Sequence, residues 1–303
     1  MNSEEIRAMI VCPLVLFCAV LATPPSAASE EAGAAETAEP TAEPEAAERA
    51  DLTAVNDLVR TGAFADAERE LARLQDEFPK DARVLLMRGE VLVALNRADE
   101  ALPLLQKTVE LDPARPRANF HMGTVLAAGG RADEALAAFG REIEVNEDTA
   151  VVVMARLNRS MLFQQQKGWR SAAAELEAVV GLEPGRVEAW GDLAASHQRA
   201  GDLDAARDAL SRGAERGFRS ADHYSSLGVS YHAAEKYDRA IEMFGAALEI
   251  DPDEPLTIKN LAASLQQAGR LAEAAARLKD YLRLRPNAPD RVEIAGRIED
   301  MER

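Results

Sequence analysis

Apolar residues along most of this chain recur with the period of a helix, and the helical stretches come in pairs. Between 221 and 254, Tyr224, Leu227, Gly228 and Tyr231 stand at i, i+3, i+4 and i+7, which is one face of a helix. Ala233-Ala234-Glu235-Lys236 breaks the pattern, and Tyr237, Ala240, Ile241, Phe244, Ala247 and Leu248 then define the face of a second helix. Pro252 ends it, because proline has no backbone N–H and disfavours the α conformation in the residue before it. This is a helical hairpin, and the same pattern predicts tandem hairpins over 48–81, 82–115, 116–149, 153–186, 187–220, 221–254 and 255–288.

The helix-ending prolines set the period. Pro79 to Pro113 and Pro252 to Pro286 are both steps of 34, and Pro184 to Pro252 is two such steps with Phe218 between them. Pro113 to Pro184 is longer by three, which places an insertion at 150–152. A fixed period of this size is the signature of a solenoid. Each second helix carries an alanine (Ala67, Ala101, Ala135, Ala172, Ala206, Ala240, Ala274). Four residues on stands a large apolar residue (Leu71, Leu105, Phe139, Leu176, Leu210, Phe244, Leu278). The small residue of each first helix is Gly89, Gly123, Ser160, Ala194, Gly228 and Ala262, with Val55 in its place in the first unit. The fourth unit departs as well, with Arg156 and Arg159 at positions apolar elsewhere.

This combination, a large residue, then Leu-Gly, then Tyr, followed by Ala, Phe and Ala and a closing Pro, resembles the tetratricopeptide repeat, here of an exported bacterial type. The resemblance covers about four-fifths of the chain. It implies an all-α fold, a right-handed α-solenoid of about seven hairpins over 51–288. Residues 289–303 are expected to form a capping helix with Val292, Ala295, Ile298 and Met301 on its apolar stripe. It also implies a protein or peptide partner held in a concave groove lined by the first helices. Projected onto this chain, that groove has a basic entrance of Asn56, Arg83, Met87, Arg117, Phe120, His121 and Thr124. A centre of Met154, Leu157, Asn158, Met161 and Gln165 follows, and methionine adapts its shape to varied partners. The exit is amide-rich, with Asp192, Gln198, Ser225, Val229, His232, Lys259, Asn260 and Gln266. One variant of the family clamps C-terminal carboxylates. Asn56 and Arg117 fit two of its sites, but Leu52 and Met87 stand where it needs Lys and Asn, so that specificity is not expected.

The first fifty residues belong to no repeat. Residues 8–22 are fifteen consecutive apolar positions, interrupted by Pro13 and short of the about 20 that a membrane-spanning helix needs. Ser26 and Ala28 are spaced as a signal-peptidase site, so 1–28 reads as a signal peptide cut after Ala28 or, if uncut, as an anchor through 8–22. Glu4 and Glu5 depart from the positive start such segments usually have. Residues 29–50 hold seven glutamates against Arg49 and no large apolar residue, the composition of a disordered, extended linker. The expected location is exported, periplasmic or extracellular.

Charge and chemistry narrow the function. The net charge of −17 repels phosphate backbones, so nucleic acid is not an expected partner, and membrane contact is expected only through an uncut N-terminal segment. The two cysteines, Cys12 and Cys18, both lie in the apolar run, which leaves the remaining chain without a thiol. His121, His197, His223 and His232 show no metal-ligand spacing, and no nucleophile or phosphate-binding motif occurs. His197, Trp169 and Trp190 fall at packing positions. Neither an enzyme nor a cofactor is expected. The leading reading is a cell-envelope scaffold or adaptor. Its alternatives are a targeting or regulatory subunit of an envelope enzyme or secretion complex, and an enzyme with an unrecognised groove site.

Overall fold

The computed structural model describes residues 49–303. The apolar run, the expected cut after Ala28 and the linker through residue 48 lie outside the described residues. Within them are fifteen α-helices and no strand. They alternate as first and second helices of seven hairpins: α1 (Thr53–Arg60) with α2 (Phe64–Glu77), α3 (Ala82–Ala94) with α4 (Ala98–Leu111), α5 (Ala118–Ala128) with α6 (Ala132–Val145), α7 (Thr149–Gln165) with α8 (Trp169–Leu182), α9 (Val187–Ala200) with α10 (Leu203–Glu215), α11 (Ala221–Ala233) with α12 (Tyr237–Ile250), and α13 (Pro255–Gln267) with α14 (Leu271–Leu284). The last helix, α15, spans Arg291–Glu302. The chain divides into two compact units, up to Ala155 and Arg156–Arg303, with the boundary inside α7.

The hairpin turns share one backbone solution. Gly62, Asn96, Gly130, Lys167, Gly201, Glu235 and Gly269 occupy the same position of successive repeats, and each has φ between 59° and 84°. The next residue then donates its N–H to the carbonyl five back: Ala63 to Leu58, Arg97 to Leu92, Arg131 to Leu126, Gly168 to Phe163, Asp202 to His197, Lys236 to Tyr231 and Arg270 to Leu265, all at 2.8–2.9 Å. A left-handed residue closing a six-residue bond satisfies the carbonyls that the ending helix orphans, and it reverses the chain within three residues. Lys167 stands at this position, which places the fourth hairpin in the register that the sequence pattern assigned it.

Packing follows from the small and large positions. The second-helix alanines and the large residues four positions on are all buried. The glycines explain why: a Cβ built on Gly123 would lie 2.8 Å from the Phe139 ring, and one on Gly228 2.7 Å from the Phe244 ring. The absent side chain is what lets the second helix press its ring onto the first. In the first unit α2 packs on α3 and α4 on α5, and α3 touches α5. In the second, α8 through α15 pack in succession, while α9, α11 and α13 touch as neighbouring first helices.

Three features depart from the expectations. Ala50, assigned to the linker, is buried; its N–H reaches Asp81 Oδ2 at 3.2 Å and its carbonyl accepts from Arg83 Nη2 at 3.1 Å. In α15 the buried residues are Ile294 and Ile298, whereas Val292 is 85% exposed. The helix turns Ile294, Ile298 and Met301 toward Leu278 and Tyr281 of α14, so Val292 falls on the opposite face. Arg156 and Arg159 are accommodated by Glu175 of α8, which is buried and takes Arg156 Nη1 and Arg159 Nε on separate oxygens, both at 2.9 Å. A buried carboxylate answered by two guanidiniums replaces the apolar contact of the other repeats.

Two stability measurements test this account. Left-handed geometry costs a side-chain-bearing residue roughly 1–2 kcal/mol, so Lys167→Gly and Glu235→Gly should each stabilise the fold by about 1 kcal/mol in urea denaturation followed by circular dichroism. Phe244→Ala should cost about 3–5 kcal/mol in the same assay.

Candidate functional site: the first-helix faces

The first-helix residues of the first unit are largely spent on the fold. Glu90 of α3 is buried and lies 2.9 Å from His121 Nε2 and 3.2 Å from Arg117 Nη2. Burial alone would raise its carboxyl pKa, but His121, by charge and hydrogen bonding, and Arg117 outweigh that and hold it below the ordinary value. Arg117, at φ 72°, opens α5. Its N–H and that of Phe120 both point at buried Glu142 of α6, at 2.6 and 3.0 Å, and Asn146 Nδ2 steadies the same carboxylate at 2.6 Å. Glu142 thus does from a neighbouring helix what an N-cap side chain normally does.

The expected entrance changes accordingly. Phe120 and His121 were assigned to the groove surface, but they are 8% and 1% exposed. Phe120 packs its ring 5.7 Å from that of Phe139, and His121 turns inward to Glu90. Arg83 is committed to Asp81 at 2.6 Å, so neither it nor Arg117 offers a free charge. Met87 is half-buried against the cluster around Val55 and Leu71, and Thr124 donates to the Phe120 carbonyl of its own helix at 3.0 Å. Asn56 is exposed on α1. Met154, the last predicted residue of this unit, is half-buried in α7.

In the second unit, Leu157, Asn158 and Met161 are half-buried on α7 and Gln165 is exposed at its end. Beyond them the first helices are tied together at one-repeat spacing. Gln164 donates to Ser196 at 3.2 Å, and Gln198 Nε2 reaches the Ser226 and Ser230 hydroxyls at 2.9 and 2.8 Å. Ser225 meets Thr257 at 2.9 Å, and His232 Nδ1 meets Ser264 at 2.8 Å. Gln266 accepts from Arg297 at 2.6 Å, and Lys259 pairs with Asp290 at 2.5 Å. Gln198, Ser225, His232, Lys259 and Gln266, five of the eight residues expected at the exit, are therefore rungs of a ladder running from α7 to α15.

Three groups on this face stay available. Val229 is 48% exposed, and so is Leu256 at 61%, a residue that sequence reasoning missed. Leu256 is the second residue of its helix, the position that Glu188 and Asp222 hold in the two preceding repeats, and that periodicity was its signal. Asp192 is open to solvent yet closely surrounded by chain; desolvation raises its carboxyl pKa, against the pull of His223 and with a smaller push from Glu188. Asn260 lies half-buried beside Lys259.

A second concavity of about 380 Å³ lies between α8 and α10 over the end of α9. Its alanine floor is bordered by Arg170–Asp202 and Arg212–Glu177 pairs at 3.2 and 2.8 Å. His197, expected as packing filler, is half-buried there. Trp190 is buried, donating Nε1–H to the Pro184 carbonyl at 3.0 Å beneath Arg212, and Trp169 is half-buried beneath Arg199.

Tetratricopeptide repeat family models match residues 52–116, 86–149, 164–227 and 227–299. The chain is a tetratricopeptide repeat protein. The stretch between 149 and 164 that no match covers holds the insertion and Arg156 and Arg159. The chain is 39% identical over 66 residues to a peroxisomal targeting signal receptor of Candida albicans, a match that spans 22% of this chain and 11% of that protein. Among solved structures, YrrB, described as a tetratricopeptide protein with an unusual peptide-binding site, is 22% identical, with 62% of this chain and 95% of that one covered and a TM-score of 0.51. Naa15/Naa10 bound to HypK-THB gives 14% identity, 82% and 38% coverage and a TM-score of 0.63. The C-terminal part of a tetratricopeptide protein of Cytophaga hutchinsonii gives 11% identity, 80% and 99% coverage and a TM-score of 0.58. These structural likenesses establish the fold. Family membership makes the tetratricopeptide array a scaffold for protein–protein interaction. Among the described residues, no group of three or more His, Cys, Asp or Glu could hold a metal ion.

Two buried ionisable groups give pH tests. Glu90→Gln should cost ~3 kcal/mol near neutrality, because it leaves Arg117 without its carboxylate. Since the folded pKa of Glu90 is lowered, that difference should persist above its ordinary pKa and shrink as pH falls through the lowered value. The Tyr231 hydroxyl lies 2.8 Å from both the Leu203 carbonyl and Asp204 Oδ1. Burial, then the hydrogen bond to Asp204, pushes the phenol up to about 12 from 10.0. A raised pKa contributes stability below the unfolded value and loses it as pH rises through the folded one. Denaturation should therefore show a loss of stability from pH 10 to 12 that Tyr231→Phe abolishes.

Proposed function

We propose that this protein is an exported adaptor that holds a segment of a partner protein on the first-helix face of residues 187–303. The observation that carries the reading is the exposure of Val229 and Leu256 on a face whose polar neighbours are already bonded to one another. Apolar side chains left open among fixed polar ones favour a ligand with apolar side chains of its own. Asp192, desolvated and accessible, would add preference for a basic residue in that segment. The cross-helix ladder supports the reading in a second way: a face already ordered loses little freedom when it binds. The similarity to a targeting-signal receptor and to a structure described by its peptide-binding site is consistent with a peptide ligand. Export rests on the apolar run at 8–22 and the small residues ending at Ala28.

Two measurements test it. In a pull-down from envelope extract, the full chain should retain a specific protein that the Val229→Glu/Leu256→Glu variant, shown folded by circular dichroism, loses. Retention by both would place binding elsewhere. Mass spectrometry of the protein recovered from cells should find an N-terminus at Ser29; an intact Met1 in a cytoplasmic fraction would refute export.

A further inference from the structure

The hollow between α8 and α10 is a place that the next repeat fills with its own side chains. One repeat on, between α10 and α12, Arg207 stands for Ala173, Arg239 for Ala205, Met243 for Ala209 and Tyr231 for His197. There Met243 and Tyr231 are buried. The Tyr231 hydroxyl reaches the Leu203 carbonyl and Asp204, and Arg207 and Arg239 lie close enough for their charges to act on it. Between α8 and α10 the three alanines leave a space of about 380 Å³. His197 has no counterpart of the bond to Asp204, because Arg170, a donor, holds that position. Its Nδ1 is buried without a hydrogen-bond partner.

The rim of the hollow carries a charge that its own pairs do not cancel. Arg170 meets Asp202 at 3.2 Å, and Arg212, lying over the Trp190 ring, meets Glu177 at 2.8 Å. Asp208 is exposed and has only the other nitrogen of the same Arg212, at 3.5 Å. Three carboxylates thus share two guanidiniums around an alanine floor. We propose that the hollow takes the side chain of an arginine from a partner protein, with its aliphatic stem on Ala173, Ala205 and Ala209 and its guanidinium at Asp208. A long apolar stem ending in a planar cation matches an apolar floor with a surplus carboxylate at its edge. The chain itself places arginine at two of the equivalent positions one repeat on. A residue within a polypeptide fits better than the free amino acid, which brings a carboxylate of its own to a rim already in excess of them. The hollow lies between second helices, apart from the first-helix face bearing Val229 and Leu256, so its test leaves that reading untouched.

The probe is N-acetyl-L-arginine amide, titrated into the full chain by calorimetry. Binding should saturate in the millimolar range, the order expected of so small a ligand. N-acetyl-L-citrulline amide has the same shape without the charge and should bind about tenfold or more weakly, because a charge-assisted hydrogen bond is the stronger kind. Asp208→Asn should weaken the arginine probe by a similar factor. Ala205→Arg installs the residue that stands one repeat on, and it should leave the melting curve intact while abolishing binding. Free L-arginine should bind more weakly than the amide. Equal affinity for the citrulline probe, unchanged affinity in Asp208→Asn, binding retained by the Ala205→Arg chain, or no saturation at about 10 mM would each overturn the proposal. Tighter binding of free L-arginine would overturn it too, because the occupant would then be a free amino acid. If Ala205→Arg melts early, Asp208→Asn and the citrulline probe decide the matter without it.

Discussion

Each hairpin in this protein depends on a single residue held in the left-handed region. With φ positive there, the following N–H reaches back five residues, the first helix is closed, and the second starts antiparallel to it. The side chains then have little choice. A small residue of the first helix lies under the large one of the second, and the alanine one turn earlier keeps the axes close. Because the same turn recurs at every repeat, the packing recurs with it, and stability is carried by contacts between neighbours rather than by one central core. Four repeats use glycine for this backbone state. The other three force Asn96, Lys167 and Glu235 into it, which shows that packing on both sides of the turn overrides local preference.

The hairpins were legible because their determinants are local and periodic. Proline spacing, the alanine row and the large residue four positions on are all visible along a one-dimensional string, and the structure places each where the period put it. What was not legible depends on which face of a helix meets which neighbour. Phe120 and His121 sit on the outward side by simple projection, but the Glu90 carboxylate draws His121 inward and Phe139 takes the ring of Phe120. Arg156 and Arg159 looked like faults until Glu175, sixteen or more residues away, supplied the charge that they answer. In α15 Val292, Ala295, Ile298 and Met301 invited one stripe, whereas Ile294, Ile298 and Met301 are the residues that turn toward α14 and Val292 does not.

The candidate site shows the same division. Sequence projection named residues of the first helices but not how their side chains are employed. Polar residues at helical positions look free in a sequence, because their partners lie one repeat away on another helix. Once those partners are drawn in, the face is chiefly a hydrogen-bonded ladder, and its remaining capacity lies with Val229, Leu256 and Asp192. A surface so constrained has few groups left for a ligand, whereas the groove projected from the family resemblance counted its charges and amides as free.

The attachment of Ala50 has a mechanical meaning. Both bonds that hold it come from Asp81 and Arg83, at the start of the second hairpin, so the chain entering the array is fastened past α1 and α2. Tension transmitted through the upstream segment is delivered to the second hairpin and bypasses the short α1. The bonds at Ala50 must shear before the first hairpin is loaded, which shields its short first helix from a pull on the chain that precedes it.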